Sequence, residues 1–508
     1  MENTVDTSIP YLTSLSYLQT QSLNNENAKS QEALSKSIEH ISTGLRVINA
    51  GDDLAGFAIA DRMDVQVQGM TKALQNTNEA LTAARVAESS LNEYTDILGY
   101  MKELAEKATH KNLELADRRT LQDEVAQLQD RLKNIASETT FRGRKLLDGT
   151  YRTQNIQVGG SVGEVMSVSL KTARPDQVGL HEVISGGTMN DASGKQGMTY
   201  ANLDNGITTA DSITVQGHSG AEYIEIENYA SAKEIADAIN AKSDITGVEA
   251  KAGTYVKIFN LTSTGDISFK LHGSSEVSIS ATITSTSDLE PLYEDLNSNY
   301  AASHIKSTLS PDHGSIYLTS EEGYNIGIED FLVPDALTAI KYVGLERDGK
   351  TPTGTEDFII DGMNDSFLVG GYVELQSDEP FIVFTGSGEA LFTSNTTYLP
   401  TLKALDTIDI TSQNNAEEAM DIIERANNYV EGIRSDVQSY ESGFEAIMNR
   451  LESASEQMED SKHRILDADI ATETMTSSKA TIQIQSQNSL LTQANRLIPE
   501  YSLFLLRQ

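Results

Sequence analysis

The sequence of 508 residues contains no cysteine and no tryptophan, and aromatic residues make up only 6% of it. Without thiols the chain forms no disulfide, no thiolate metal site and no cysteine nucleophile. So low an aromatic content is also unusual for a compact enzyme. These absences exclude thiol chemistry and disfavour a catalytic protein.

Basic residues are scarce, since 38 lysines and arginines face 75 acidic residues and leave a net charge of −37. Nucleic-acid binding needs basic patches that neutralise phosphate, so we expect no nucleic-acid partner. No apolar run is long enough for a bilayer span, and we expect no membrane insertion. The first six residues contain acid but no lysine or arginine, and no continuous apolar segment follows them, so we expect no Sec-type signal peptide, and export would need another route.

Composition divides the chain into three parts. Residues 1–145 and 405–498 are rich in alanine, leucine, glutamine, asparagine and glutamate, with a single proline, Pro10. Residues 150–400 are rich in glycine, serine, threonine, isoleucine, valine and tyrosine, with frequent turn signals. The ends therefore predict helices and the middle predicts strands, so the predicted fold class is α+β.

Small and apolar residues recur at alternating steps of three and four in both ends, which is the spacing of a coiled-coil seam. The C-terminal seam is Ala416, Ala419, Ile423, Ala426, Val430, Ile433, Val437, Tyr440, Phe444, Ile447, Leu451, Ala454 and Met458. The N-terminal seams are Ala80 to Ala108, Leu121 to Ile135, and Leu34 to Ile48. Because such seams need partner helices, we expect a long antiparallel coiled-coil rod formed by both termini, with β-rich outer domains inserted between them.

The middle of the chain contains an internal repeat by pattern. Residues 231–270 and residues 288–330 each predict one short helix followed by a few strands. The repeat suggests two subdomains within the insert, at about 186–286 and 287–401.

Both ends are depleted of charge but keep apolar residues. Residues 7–25 and 480–495 carry no charged side chain, yet glutamine, asparagine, serine and threonine are frequent in them. Charge depletion of this kind is typical of an interface core, and an exposed apolar cluster would be adhesive on a monomer. One interpretation is that the ends bury each other in an ordinary coiled coil. We favour burial by neighbouring subunits, with ends that become ordered on assembly.

Several motifs carry a family resemblance. Residues 42–60 read Ser-Thr-Gly-Leu-Arg-Val-Ile-Asn-Ala-Gly-Asp-Asp-Leu-Ala-Gly-Phe-Ala-Ile-Ala, and residues 464–473 read Arg-Ile-Leu-Asp-Ala-Asp-Ile-Ala-Thr-Glu. Both closely resemble bacterial flagellins, as do residues 122–125, 140–149 and 503–507. The resemblance covers about the first 180 and the last 105 residues. It implies a subunit of the flagellar filament used for swimming, with no enzymatic activity and no cofactor.

The resemblance also implies an organisation and a set of partners. Residues 1–50 and 464–508 would line the inner tube of a helical homopolymer. Residues 51–185 and 402–463 would form a helical outer-tube domain with a β-hairpin, and residues 186–401 a surface-exposed insert. The implied partners are the flagellar type III export apparatus, an export chaperone and a filament cap protein, and the implied location is extracellular.

We expect the polymerisation interface to combine apolar residues of the ends with the charged motif residues. Its members are Leu12, Leu15, Leu34, Ile38, Leu45, Arg46, Asp52, Asp53, Asp467, Asp469, Leu490, Leu491, Leu497, Leu503, Leu505 and Leu506. Asp52 or Asp53 can cap the following helix. Asp467 and Asp469 are expected to bond to helix ends or to Arg464 rather than to form a catalytic pair.

Residues 97–108 and Glu124 resemble the flagellin segment that the animal Toll-like receptor 5 recognises. Leu104 and Glu124 agree with the recognised pattern, but Gly99 and Tyr100 stand where the pattern has glutamine and arginine. The missing arginine removes a bidentate donor, so we expect weak receptor recognition.

Motifs for catalysis and metal binding are incomplete. In His181-Glu-Val-Ile-Ser185, serine occupies the position of the second histidine of a zinc protease. The histidines at 218, 272, 304 and 313 show no ligand spacing and are interpreted as surface residues. Two alternative functions stay open: a hook–filament junction protein that shares the end motifs, and a secreted carbohydrate-active or adhesive enzyme that uses the insert.

Overall fold

The computed structural model describes residues 8–505, except for 188, 190–192, 196–198, 201–202, 208–210, 334–337, 362, 387–390 and 393–396. Side chains are described between residues 17 and 495, apart from these gaps and residues 193–195. The described chain forms two compact units. The first unit contains Met1–Thr82, Thr153–Val168 and Tyr440–Gln508, and the second contains Ala83–Arg152 and Ser169–Ser439.

Both ends of the chain are helical, as their alanine-rich and leucine-rich composition predicts. The long helices are α1 (Ser8–Thr43), α2 (Leu54–Ala108), α3 (Leu115–Glu138), α8 (Gln413–Leu466) and α9 (Ile470–Leu505). Helices α2 and α8 each contribute to both units. No helix in the described part of the chain combines the length and the apolarity needed to cross a bilayer.

The predicted seams of α2, α3 and α8 are buried in the second unit. Their fully buried members include Leu91, Tyr94, Leu98, Met101, Val125, Leu132, Ile423, Val430, Ile433 and Val437. Helices α2 and α8 are antiparallel there, because Lys102 pairs with Glu424 at 3.1 Å and Gln438 donates to Glu88 at 3.1 Å. The structure thus confirms the α+β class and the antiparallel pairing of helices from the two ends.

Two short hairpins follow α3. The first pairs β1 (Thr140–Phe141) with β2 (Arg144–Lys145), and the second pairs β3 (Gln154–Gln157) with β4 (Val165–Val168). The second hairpin belongs to the first unit. Its residue Gly160 lies against Gly69 of α2, where a Cβ on Gly69 would stand 2.8 Å from the Gly160 carbonyl oxygen.

The described residues of the insert and its flanks contain the remaining strands and four short α-helices. The helices are α4 (Ala232–Asn240), α5 (Ser243–Thr246), α6 (Glu290–Ser298) and α7 (Tyr300–Ser303), and a 3-10 turn (Leu405–Thr407) precedes α8. The strands are β5 (Gly179–Ile184), β6 (Ser193–Lys195), β7 (Asp211–Gln216), β8 (Ala221–Ile226), β9 (Glu249–Phe259), β10 (Gly265–His272), β11 (Glu276–Ile283), β12 (Lys306–Leu309), β13 (Ser315–Ser320), β14 (Ile326–Leu332), β15 (Ala339–Leu345), β16 (Asp357–Ile360), β17 (Ser366–Val369), β18 (Tyr372–Ser377), β19 (Ile382–Thr385), β20 (Thr397–Tyr398) and β21 (Thr401–Ala404).

These strands form three antiparallel sheets. The largest has the order β12-β13-β9-β18-β5-β21, and β15 joins it by pairing with both β9 and β16. The second has the order β11-β10-β14-β17-β6, and the third β20-β19-β7-β8. The predicted repeat is present with two short helices in each copy instead of the one expected, since α4 and α5 precede β9 and β10, and α6 and α7 precede β12, β13 and β14. A capping box between Ser231 and Glu234 begins α4.

The insert divides differently from the predicted subdomains 186–286 and 287–401. One core lies within residues 256–369, and the other combines residues 183–250 with residues 373–398. The long strand β9 supplies Ala250 to one core and Val256 and Ile258 to the other. One core is therefore nested within the sequence of the other. The sheet also extends past the predicted boundaries at 185/186 and 401/402, because β5 pairs with both β18 and β21.

Candidate polymerisation interface

Helices α1 and α9 lie antiparallel in the first unit. Near the middle of the pair, the Asn27 amide donates to Asn488 Oδ1 at 3.0 Å. Near the C-terminal end of α1, His40 Nδ1 lies 3.0 Å from Glu473 Oε1, and this hydrogen bond holds the pKa of Glu473 below its ordinary value. The N-terminal and C-terminal helices therefore pair with each other through polar contacts.

The contact between α1 and α9 buries small residues. Ser30, Ser37 and Ala480 are buried, and the Ser30 hydroxyl donates back to the Glu26 carbonyl oxygen within α1. Serine and alanine allow close helix approach but bury little apolar surface. The mutual packing of the ends consequently buries little of their larger apolar side chains, several of which are exposed.

Large apolar side chains of the terminal helices are exposed instead. Ile482 is 66% exposed and Leu490 is 46% exposed. The exposed set on these helices is Tyr17, Leu18, Ile38, Ile470, Met475, Ile482 and Leu490. Leu34, Leu45 and Leu491 are half-buried. Mutual burial of the ends therefore covers only part of their apolar surface.

The start of α2 extends this exposed apolar surface in a way that the sequence analysis missed. Leu54, Phe57, Ile59 and Val65 are all exposed. The available signal was their position, because Leu54, Phe57 and Ile59 end the flagellin-like motif of residues 42–60, Val65 follows it, and all four precede the α2 seam, which begins at Ala80. We call the exposed apolar residues of α1, α9 and the start of α2 the apolar terminal surface.

Six of the predicted interface residues cannot be placed by their side chains. Leu12 and Leu15 lie in α1, and Leu497, Leu503 and Leu505 lie in α9, but only their backbone is described. Leu506 lies outside the described residues.

The predicted acidic residues build the turns between the long helices. Asp52 accepts from the backbone N–H groups of Ile48 and Asn49, and these hydrogen bonds lower its pKa. Asp53 caps α2 by accepting from Ala55 and Gly56. The predicted capping role is confirmed for Asp53, whereas Asp52 fixes the preceding turn.

A second pair of acidic residues, Asp467 and Asp469, lies in the turn between α8 and α9. Asp469 caps α9 by accepting from Ala471 and Thr472, whose hydrogen bonds lower its pKa. Asp467 lies 3.2 Å from His463 Nδ1. The structure gives Asp467 this histidine as its partner, whereas we expected a helix end or Arg464.

These two turns lie side by side. The Arg46 guanidinium donates to the Ile465 carbonyl oxygen at 2.7 Å, and Leu45 forms a β-bridge with Asp467. Ala468 N–H donates to the Gly44 carbonyl oxygen at 2.9 Å. The charged motif residues thus hold the terminal helices in register within one chain.

The receptor-like segment is only partly accessible. Tyr100 is 65% exposed on α2, and Glu124 is exposed on α3. Leu104 is buried at 5% exposure. In the zinc-protease-like sequence, His181 lies in strand β5 rather than on a helix, so its side chain does not have the helical spacing of that motif.

A chain whose helical ends pair through small residues and leave large apolar residues exposed is built as a self-assembling structural subunit. Models of the bacterial flagellin N-terminal and C-terminal helical regions match residues 14–152 and 420–499. The B-type flagellin of Pseudomonas aeruginosa is 30% identical over 499 residues, covering 97% of this chain and 99% of that protein. Polar flagellin B/D of Vibrio parahaemolyticus is 25% identical and covers 99% of both chains. The solved structure of FliC from Burkholderia pseudomallei is 15% identical, covers 72% of this chain and 99% of that chain, and has a TM-score of 0.29.

The chain belongs to the bacterial flagellin family. It is a structural subunit of the flagellar filament, as the full-length flagellin relatives indicate.

Proposed function

We propose that this flagellin polymerises by burying its apolar terminal surface between neighbouring subunits. The observation that carries the proposal is the exposure of Ile482, Met475 and Leu490 on α9 beside a contact with α1 made by serine, alanine and asparagine. Fully burying one such side chain is worth about 1.5–3 kcal/mol. Several of them on each subunit favour assembly strongly.

The contact is heterologous, because different surfaces of successive subunits meet, and it builds a helix rather than a closed ring. In this arrangement residues 1–50 and 464–508 lie innermost, and the helical parts of 51–185 and 402–463 surround them. The insert faces solvent, which suits its acidic composition and its own two cores.

The test compares two exposed apolar residues of the same chain. Ile482→Ser should raise the critical concentration for polymerisation at least about tenfold, since a lost apolar contact of about 1.4 kcal/mol corresponds to a factor of ten. Leu399→Ser, at a 72% exposed position in the insert, is the matched control and should polymerise normally. Sedimentation of filaments over a concentration series measures both.

Deletion of residues 479–508 should abolish polymerisation and leave the insert folded. Normal filaments from the truncated chain, or equal effects of Ile482→Ser and Leu399→Ser, would refute the proposed interface.

The alternative function is a hook–filament junction protein, which would stop at a few copies. Electron microscopy of the purified protein distinguishes the two functions, because long tubes support a filament subunit and short rings support a junction protein.

We propose in addition that the protein has no enzymatic activity. A glycan-turnover assay on the purified filament tests this, and turnover would support the carbohydrate-active alternative.

We further propose export through the flagellar type III apparatus to the cell exterior without a cleaved signal peptide. An export chaperone would cover the apolar residues of α9 before assembly, and a filament cap protein would guide insertion. Co-purification of the intact chain, but not of the 479–508 deletion, with a small cytoplasmic protein supports the chaperone. Mass spectrometry of the exported protein tests whether the N-terminus is processed.

We propose weak activation of Toll-like receptor 5. Tyr100 presents an exposed phenol where the recognised pattern has arginine, and Leu104 is buried. Tyr100→Arg should increase the signal of receptor reporter cells, because it restores a bidentate donor beside the exposed Glu124. An unmodified monomer as potent as strongly activating flagellins would contradict this proposal.

A further inference from the structure

A histidine and two carboxylates from separate turns of the insert meet at one point. His313 lies in the loop between β12 and β13, whereas Asp288 precedes α6 and Glu290 is its first residue. His313 Nδ1 lies 3.2 Å from Asp288 Oδ1 and 3.6 Å from Glu290 Oε2. One oxygen or nitrogen ligand atom from each residue lies within 4.8 Å of the other two. This cluster could not be predicted from the sequence, since 23 residues or more separate the histidine from the acids.

We propose that Asp288, Glu290 and His313 form a binding site for a divalent first-row transition ion such as Zn²⁺. Zinc bonds to histidine nitrogen at about 2.0–2.1 Å and to carboxylate oxygen at about 2.0–2.2 Å, so neighbouring ligands of a tetrahedral ion stand about 3.3–3.6 Å apart. The distances of 3.2 and 3.6 Å from His313 to the two acids match this separation. An imidazole ligand favours zinc, copper or nickel over calcium and magnesium, which take oxygen ligands.

The backbone holds the two turns together without the ion. Leu289, between the two acids, is fully buried in the core of residues 256–369, and its N–H donates to the His313 carbonyl oxygen at 2.9 Å. His313 adopts a left-handed conformation, with φ of 59°, and its own N–H donates to the Ser310 carbonyl oxygen. The three ligands are therefore placed by the fold, which reduces the entropy lost when an ion binds.

The surrounding charge favours a cation. Residues 284–300 contain four acids and no lysine or arginine, and residues 307–340 contain no lysine or arginine either. The nearby Asp312 adds another carboxylate, opposed by Lys257 from strand β9. Side chains at the cluster are 44–53% exposed, so water can complete the coordination of an ion. Three protein ligands with open water positions are enough for a labile surface site.

A bound ion would tie the start of α6 to the β12–β13 loop. Both segments belong to the second helix-and-strand repeat of the insert. An ion that binds the folded form and not the unfolded form stabilises the fold by an amount that grows with the logarithm of its concentration above Kd. The site would therefore stabilise the insert without contributing to the polymerisation contact.

The experiment titrates the full-length monomer with ZnCl₂ in a buffer that does not chelate zinc and follows binding by calorimetry. We expect one saturable site per chain, weakened at least about tenfold by His313→Ala and by Glu290→Gln, as expected for loss of a ligand. Asp288→Asn retains an acceptor for the Glu290 N–H and should fold normally while binding zinc more weakly. CaCl₂ at the same concentration should not compete.

His218→Ala is the matched control, since His218 is an exposed histidine of the same insert without an ion pair among the described contacts. It should bind zinc as the unmodified chain does. If His313→Ala does not fold, Glu290→Gln tests zinc binding in its place. We expect Glu290→Gln to fold, because His313 is the only pairing partner described for the Glu290 side chain. Absence of a saturable site, or equal zinc binding by the unmodified chain and Glu290→Gln, would overturn the proposal. Zinc should also raise the thermal unfolding temperature of the unmodified chain but not of Glu290→Gln.

Discussion

At the scale of single residues, the most unusual group in this flagellin is the buried carboxyl of Glu374 on β18. It is 1% exposed and shares Arg347 with Glu182, the guanidinium lying 2.6 Å from Glu182 and 3.1 Å from Glu374. Burial, together with the hydrogen bond to Glu182, raises the pKa of Glu374 to about 8. Burial acts to raise the pKa of Glu182 as well, but hydrogen bonds with Glu374 and Lys403 lower it overall. The pair therefore keeps one proton, on Glu374, at neutral pH.

This proton makes the stability of the insert depend on pH. The pKa of Glu374 is higher in the folded chain than its ordinary value of 4.5, so the folded form binds the proton more tightly. The resulting stabilisation is complete below about pH 4.5 and is lost as the pH rises through about 8. The free energy of unfolding should fall by at most about 1.4 kcal/mol per pH unit within this window.

Glu374→Gln should remove this pH dependence, because glutamine needs no proton to remain neutral. Urea unfolding followed by tyrosine fluorescence at pH 6 and pH 8.5 measures the difference between the variant and the unmodified chain. Glu321→Gln is the control, since Glu321 is an exposed partner of Lys306 and should leave the pH dependence unchanged. A variant that loses as much stability as the unmodified chain over this range would show that Glu374 does not hold the proton.

At the scale of elements, two glycines of helix α2 have opposite roles. A Cβ on Gly69 would stand 2.8 Å from the carbonyl oxygen of Gly160 in the β3–β4 hairpin, closer than backbone atoms allow. A Cβ on Gly99 would meet no atom within 4 Å. Gly69→Ala should therefore displace the hairpin at a cost of about 1–3 kcal/mol, whereas Gly99→Ala should stabilise α2 by about 0.8–1 kcal/mol.

Hydrogen exchange of the β3–β4 amides measures the displacement of the hairpin in Gly69→Ala. Thermal unfolding measures the stabilisation in Gly99→Ala. Faster exchange in both variants, or in neither, would show that the approach of Gly160 to Gly69 does not hold the hairpin.

Sequence periodicity predicted the helices well because a heptad seam is a local pattern. The seam from Ala80 to Ala108 and the part of the α8 seam from Ala416 to Val437 are buried as expected, since both repeat over many turns. The third seam was less informative, because Ile38 is exposed and the α1–α9 contact is made by Ser30, Ser37 and Ala480 instead. Small polar residues at a helix contact carry no hydrophobic period.

The pairing of distant strands could not be predicted from the sequence, because periodicity reports only on neighbouring residues. Strand β5 pairs with β18 and β21, which lie about 190 and 220 residues later, and no local pattern encodes these partners. The same long-range pairings bring Glu182 to Glu374 and nest one core within the other. A site made by such contacts, like the one at His313, becomes visible only when the fold is known.

At the scale of the whole molecule, assembly sets apolar attraction against charge repulsion. Each subunit carries a net charge of −37, whereas residues 7–25 and 480–495 carry no charged side chain. The two uncharged segments are thus parts of the proposed interface without mutual charge repulsion, and the repulsion arises from the rest of the subunit. Repulsion between exposed charges is screened by salt, with a Debye length of about 10 Å at 0.1 M, but burial of apolar surface is not weakened by it.

The critical concentration for polymerisation should therefore fall as NaCl rises from about 20 mM to about 500 mM, over which the Debye length shortens several-fold. Ile482→Ser should shift the curve to higher protein concentration without changing its dependence on salt, because the substitution removes apolar surface and no charge. Leu399→Ser should reproduce the curve of the unmodified chain. A critical concentration that rises with salt would mean that ion pairs between subunits dominate the contact. In that case we would expect the ion pairs between subunits to involve Arg46, Asp467 and His463 at the turns rather than the apolar terminal surface.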